Sequence, residues 1–190
     1  MRRDPVLFRT RRTPFAEVVN VSRFRFYHIS EKYINFLHSI DHRVQLNKGE
    51  RRPYIGIVLT INGLDYYVPL ESPKPNHAAL RSGVIFKLDE GRLGIMGFNN
   101  MIPVRDVCLV EFDIQQEPDP RYRALLYKQL AFCDKSYDII CSRARSVYNK
   151  RVAGNVAHYD QVCCDFRNLE FACRRYDPNH RKIKKKPASL

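Results

Sequence analysis

The sequence predicts an α+β fold, an antiparallel sheet with helices packed against it. Residues 54–61 and 65–70 are rich in β-branched and aromatic side chains and are joined by Asn62-Gly63, the signature of a tight hairpin. Short apolar runs recur as far as residue 112, and from residue 120 the apolar spacing changes to three and four. Hairpin connections favour antiparallel pairing, and a late run of helices places them beside the sheet rather than between its strands.

Residues 24–29 read as a short first strand. Ser30 then offers its hydroxyl as an N-cap, and Tyr33, Phe36, Leu37 and Ile40 share one face of a helix over residues 31–41. The polar, basic stretch 42–52 is a loop. It leads through Pro53 into the hairpin, and the returning strand delivers the chain into a second exposed loop, 71–83, punctuated by Pro73 and Pro75. The two loops leave neighbouring strand ends and can share a surface. Further strands are expected over 84–88, 92–96 and 107–112, with Asn99-Asn100 turning between the last two. Pro118-Asp119-Pro120 opens a long helical stretch that is one helix, or two broken near residues 134–136, with Gly154 as its stop. A shorter helical element follows over 164–176.

With 190 residues, the chain has the length of one domain. Residues 1–23 read as a basic N-terminal arm, 24–177 as the domain, and 178–190 as a solvated basic tail. No run approaches the roughly eighteen apolar residues of a membrane span, and the N-terminus lacks the apolar stretch of a secretory signal, so a cytoplasmic setting is expected. The 33 Lys and Arg exceed the 20 Asp and Glu, giving a net charge of +13. A field of that sign concentrates polyanions, and RNA or DNA leads the expected partners. The six cysteines include no C-x-x-C pair and read as reduced packing residues, Cys133 and Cys141 on helix and Cys108 on strand. Neither a metal nor another cofactor is expected.

Phosphate-binding glycine loops, the zinc helix H-E-x-x-H and the esterase elbow G-x-S-x-G are all missing from the sequence. What remains is a basic surface with hydroxyl, Lys, Arg and His groups on loops. That inventory suits metal-free RNA cleavage, because RNA carries its own nucleophile in the 2′-OH. The protein must deprotonate and align that oxygen, neutralise the phosphorane and protonate the departing 5′-oxygen. Ser72-Pro73-Lys74-Pro75-Asn76-His77 places a hydroxyl, an ammonium and an imidazole on one proline-stiffened segment. Lys74 can stabilise phosphorane charge, Ser72 can hydrogen-bond a phosphate oxygen, and His77 can exchange protons.

In order along the chain stand Phe26-Tyr27-His28-Ile29-Ser30 with Lys32-Tyr33, Arg52-Pro53-Tyr54-Ile55-Gly56-Ile57-Val58-Leu59, and Pro69-Leu70-Glu71-Ser72-Pro73-Lys74 with His77. Phe86-Lys87-Leu88, Leu93-Gly94, Met101-Ile102-Pro103 and Tyr127-Lys128-Gln129-Leu130 follow. This ordered set, spanning residues 26–176, resembles the toxins of type III toxin–antitoxin systems, the ToxN/AbiQ family. The resemblance implies a twisted antiparallel sheet related to barrel-like toxin ribonucleases. It implies cleavage of single-stranded RNA to a 2′,3′-cyclic phosphate, and neutralisation by a repeat-derived pseudoknot antitoxin RNA. That RNA, cut from its precursor by the toxin, is retained in a closed protein–RNA assembly, and relatives act in plasmid maintenance and in abortive defence against phage.

Carried over residue by residue, Ser72 and Lys74 match the family's Ser-Pro-Lys active-site loop, Arg52 holds the scissile phosphate, and His77 is a candidate proton donor. Tyr33 matches a groove tyrosine, although its helical spacing equally fits a core aromatic. Tyr27, Arg43, Lys48, Arg51 and Glu71 complete the expected RNA-binding set. Glu71 stands where a close relative has Thr, and repulsion from the phosphate implies that its carboxylate points away. The group that deprotonates the 2′-OH stays open. A non-catalytic RNA-binding module would share the charge and aromatic distribution without turnover, and a barrel-toxin inhibitor of a protein target is the third reading.

Overall fold

The two strands of the expected hairpin are β2, Tyr54–Ile61, and β3, Leu64–Glu71. Their turn works because Asn62 and Gly63 both take positive φ, 51° and 71°, which matches the twist of the flanking strands. The computed structural model of the chain describes residues 23–47, 49 and 52–179. The expected basic arm, apart from Arg23, and the tail beyond Asn179 lie outside these described residues.

β3 is the centre of the sheet. One edge pairs with β2, and the other is shared by β6 (Ile102–Val104) over its first half and β5 (Ile95–Gly97) at its end. The sheet runs β4-β5-β3-β2-β1-β7, with β1 at Arg25–Ile29, β4 at Ile85–Lys87 and β7 at Leu109–Glu111. Every pairing is antiparallel, and the sheet is open rather than closed into a barrel.

The helices are α1, Glu31–Ile40; α2, Pro120–Lys135; α3, Tyr137–Ala153; α4, Ala157–Val162; and α5, Phe166–Arg175. The long stretch is two helices, broken at Ser136, and Gly154 closes the second. Asp119 caps α2 by accepting from the Arg121 amide at 2.8 Å, and Asp165 caps α5. α1 and α5 pack on each other, α5 also covers β6, and α3 lies on β2. Among the described residues no helix is long and apolar enough to cross a membrane.

The core is built on buried aromatics: Phe24, Tyr33, Tyr54, Tyr66, Tyr67, Phe98 and Phe166 are at most 1% exposed. Tyrosine can fill a core only where its hydroxyl finds a partner. Tyr33 donates to the Pro103 carbonyl at 2.7 Å, while Tyr66 and Tyr148 both donate to Oε1 of the buried Glu170, at 2.8 and 2.7 Å. That carboxylate ties β3, α3 and α5 together. A second brace joins α1 to α4 and α5. Asp41 accepts from Arg43 at 2.8 Å and from the Asp165 amide at 2.6 Å, and Arg43 donates onward to the Asp160 carbonyl at 2.9 Å.

Several local expectations are corrected. Ser30 occupies the N-cap of α1, but its hydroxyl makes no cap hydrogen bond, and its amide instead donates to the Cys108 carbonyl at 2.9 Å. The expected strand over 92–96 begins only at Ile95, because Leu88–Gly91 form a tight 3-10 turn with Asp89 and Glu90 at positive φ. Asn99 and Asn100 do sit in a turn, yet it leads into β6, a three-residue strand hidden from pattern reading by Pro103. Cys108 lies in a 3-10 turn before β7 rather than on the strand. Helix α4 is too short to show a period. All six cysteines are free, five of them buried, as packing residues should be. Burial pushes the Cys108 and Cys163 thiols up to about 11.

Candidate active site

The open end of the β2–β3 hairpin carries the expected loop. Tyr54 pairs with Pro69, and the Leu70 amide donates to the Pro53 carbonyl at 2.9 Å, so the register carried one step further sets Arg52 across from Glu71. Ser72 and Lys74 follow immediately and are exposed. Lys74 is extended, as a residue before proline must be, and Pro75–Ala79 then wind into a 3-10 turn. Two of the four expected catalytic side chains, Ser72 and Lys74, therefore stand exposed just past the end of β3, with Arg52 in the loop that leads into β2. The fourth, His77, turns inward.

A glycine makes this loop possible. Gly94 has φ +102°, and a Cβ there would collide with the Glu71 carbonyl and sit 3.3 Å from the Pro73 nitrogen. The backbone of the β4–β5 connection thus supports the Ser72 segment directly. Behind it, the Arg81 and Lys87 side chains both donate to the Ala78 carbonyl, at 2.8 and 3.1 Å, and hold the 3-10 turn against the sheet.

Electrostatics at the site differ from expectation in one respect. The Glu71 carboxylate does not point away; it forms an ion pair with the Lys74 ammonium, spanning three residues across the turn. The physical reason is local: Glu71 is the last residue of β3, and three residues on, across the turn, the Lys74 ammonium lies within reach of its carboxylate. Arg52 is committed to its own loop, donating to Gln45 Oε1 at 2.6 Å and more loosely to the Leu46 carbonyl at 3.4 Å.

His77 is only 2% exposed, and its Nδ1 is buried without a hydrogen-bond partner. Burial first, and the nearby Lys74 second, hold its pKa below the ordinary histidine value. Burial keeps the ring from being presented at the surface, and the lowered pKa disfavours the charged form that would donate a proton. It supports the turn from beneath.

The expected RNA-binding residues disperse. Tyr33 is fully buried with its hydroxyl spent on Pro103, which is the core alternative rather than the groove one. Arg43 is bound up in the Asp41 brace. Tyr27 stands edge-on to Tyr67 at 5.2 Å and lines a different cleft of about 530 Å³, with Arg25, Phe112 and Tyr127. Lys48 and Arg51 lie outside the described residues. Among the described residues no group of three or more His, Cys, Asp or Glu is placed to hold a metal ion.

The relatives that share this chain's sequence and open antiparallel sheet are RNA-cutting enzymes of the toxin class, and the class of this protein is endoribonuclease. Residues 25–174 match the family model described as toxin ToxN of type III toxin–antitoxin systems, and the chain belongs to that family. It is 37% identical over 169 residues to endoribonuclease ToxN of Bacillus thuringiensis subsp. kurstaki, covering 84% of this chain and 87% of that protein. Endoribonuclease ToxN of Pectobacterium atrosepticum is 33% identical over 157 residues, covering 77% and 90%. Endoribonuclease AbiQ of Lactococcus lactis subsp. lactis is 26% identical over 174 residues, covering 85% and 93%. A solved toxin structure described as selectively inhibited by a non-coding RNA pseudoknot superposes with TM-score 0.71 at 37% identity, covering 80% of this chain and 96% of that one. A second, from a bacterial antiviral system regulated by a processed non-coding RNA, gives 0.71 at 33% identity, covering 80% and 98%.

Proposed function

We propose that this toxin cuts RNA by driving the 2′-OH onto the adjacent phosphorus, leaving a 2′,3′-cyclic phosphate, with no metal ion in the step. Lys74 and Arg52 neutralise the phosphorane, and Ser72 hydrogen-bonds a non-bridging oxygen. His77 shapes the loop. The observation that carries the assignment is that Ser72 and Lys74 are both exposed in the loop leaving β3, at the hairpin end where the register sets Arg52 opposite Glu71, in a chain of this family.

The regulator is a repeat-derived RNA pseudoknot that occupies the basic surface and holds the toxin in a closed protein–RNA assembly, in the cytoplasm, where cellular and phage transcripts are the targets. The reading is supported by the net charge of +13 and by the RNA-regulated relatives. A domain bounded by residues 24 and 177 carries the activity.

Purified Ser72→Ala and Lys74→Ala proteins, assayed on RNA in EDTA, are expected to cleave at least about a hundredfold more slowly than the parent with unchanged circular dichroism. If both cut as fast as the parent, the loop is not the site. If the parent cuts nothing unless a divalent ion is added, the metal-free route is wrong.

A further inference from the structure

The proposed reaction lacks a base for the 2′-OH, and the structure offers one. Such a group must be exposed at the loop, lie within reach of the phosphate that Ser72 and Lys74 hold, and be able to accept a proton. His77 is buried beneath the turn. Tyr33 and Tyr54 are buried in the core. Arg52 and Lys74 are cations, and the Ser72 hydroxyl is no base at neutral pH. Glu71 remains. Its side chain is 34% exposed, it immediately precedes Ser72, and it contacts the Lys74 ammonium. Its backbone is fixed by pairing with Ile95.

We propose that Glu71 takes the 2′-OH proton and that its contact with Lys74 closes the proton cycle. This rests on the loop being the cleavage site. As the 2′-oxygen bonds to phosphorus, its proton passes to the Glu71 carboxylate. As the bond from phosphorus to the 5′-oxygen breaks, that oxygen takes a proton from the Lys74 ammonium. The neutral acid and neutral amine are neighbours, and transfer from Glu71 to Lys74 restores the starting ion pair without outside acid or base. Lys74 pairs the carboxylate, and Arg52, set opposite Glu71 by the hairpin register, adds a second cation to the same end of the hairpin, so an arriving phosphate meets net positive charge. The other described charges around Glu71 are occupied. Across the β4–β5 turn Lys87 pairs with Glu90 at 3.6 Å and Arg92 with Asp89 at 2.9 Å, while His77 is buried, with its pKa lowered by burial and by Lys74.

The test uses the full chain under single-turnover conditions, across pH, with two RNAs: an ordinary transcript and the same sequence carrying a 5′-bridging sulfur at the cleavage site, whose leaving group needs no protonation. Glu71→Gln should lose about 10²- to 10³-fold on both and lose the acid limb of the rate profile. Lys74→Ala should lose on the ordinary RNA and recover much of it on the sulfur-bridged one. Binding of an uncleavable RNA with a 2′-deoxy nucleotide at the site should stay within about threefold for Glu71→Gln, and Glu71→Asp should keep the acid limb. Cleavage by Glu71→Gln at or above the parent rate would make Glu71 a mere counterion of Lys74 and overturn the proposal. So would its recovery on the sulfur-bridged RNA, or a loss of binding matching the loss of cleavage. If Ser72→Ala and Lys74→Ala fall while Glu71→Gln does not, the loop stands and only this inference goes; if none of the three falls, the loop assignment goes with it.

Discussion

Glu170 should matter more to this fold than any other single charge, and the two ways of removing it should differ. Its carboxylate is 8% exposed and accepts from two phenols at one oxygen, Tyr66 at 2.8 Å and Tyr148 at 2.7 Å, with Asn62 Nδ2 at 3.3 Å from the other. Glu170→Ala leaves both phenols buried without an acceptor. At about 1–3 kcal/mol for each unsatisfied group, the loss comes to about 4 kcal/mol, a large part of the roughly 5–15 kcal/mol available to a domain. Glu170→Gln keeps a carbonyl oxygen where both phenols donate. It weakens each bond by removing the charge, but it also removes the cost of burying that charge, so the net loss should be about 1 kcal/mol. Urea unfolding followed by tyrosine fluorescence checks both. With a slope of about 2 kcal/mol/M, the alanine variant should lose about 2 M in midpoint and the glutamine variant about 0.5 M, at unchanged slope. Equal losses in the two variants, or an alanine variant within about 1 kcal/mol of the parent, would refute the account.

Two further outcomes follow from the same geometry. Gly94→Ala should cost about 1–3 kcal/mol of stability and lower RNA cleavage at least about tenfold, because its Cβ displaces the Glu71 carbonyl that carries the loop; parent-like cleavage by a folded variant would show that the loop does not rest there. Burial acts to raise the Asp41 carboxyl, but its hydrogen bonds from Arg43 and the Asp165 amide overbalance that and hold it below the ordinary value. The contribution is therefore complete above about pH 4 and fades as pH falls through the lowered value. Asp41→Asn should cost about 1–3 kcal/mol at pH 7 and progressively less near pH 3, measured by thermal or urea unfolding; a deficit that persists unchanged into acid would count against it.

The hairpin was legible because its evidence is local: Asn62-Gly63 requires positive φ, and the flanking β-branched runs admit no competing period. Helices α2, α3 and α5 were legible for the same reason, since caps and apolar spacing act within a few residues. Ser72 and Lys74 were singled out by chemistry and family resemblance together and Arg52 by resemblance, and the hairpin register sets all three at one end of the sheet. The short elements escaped. β6 has three residues including Pro103, and α4 has six, too few for either period to declare itself.

Charge, residue chemistry and local geometry, all written in the sequence, determined a basic α+β chain with a proline-stiffened Ser-Pro-Lys loop after a hairpin. Burial and pairing were decided only by the tertiary structure. It sank Tyr33 into the core, hid His77 beneath the turn and drew Arg43 into a brace that reaches Asp160. The reason is that burial and long-range hydrogen bonds depend on what approaches from elsewhere in the chain, whereas the Glu71–Lys74 pair is local. Pro103 meets Tyr33 from 70 residues away, and Gly94 reaches the Glu71 carbonyl from across the sheet, contacts that no window of neighbouring residues contains.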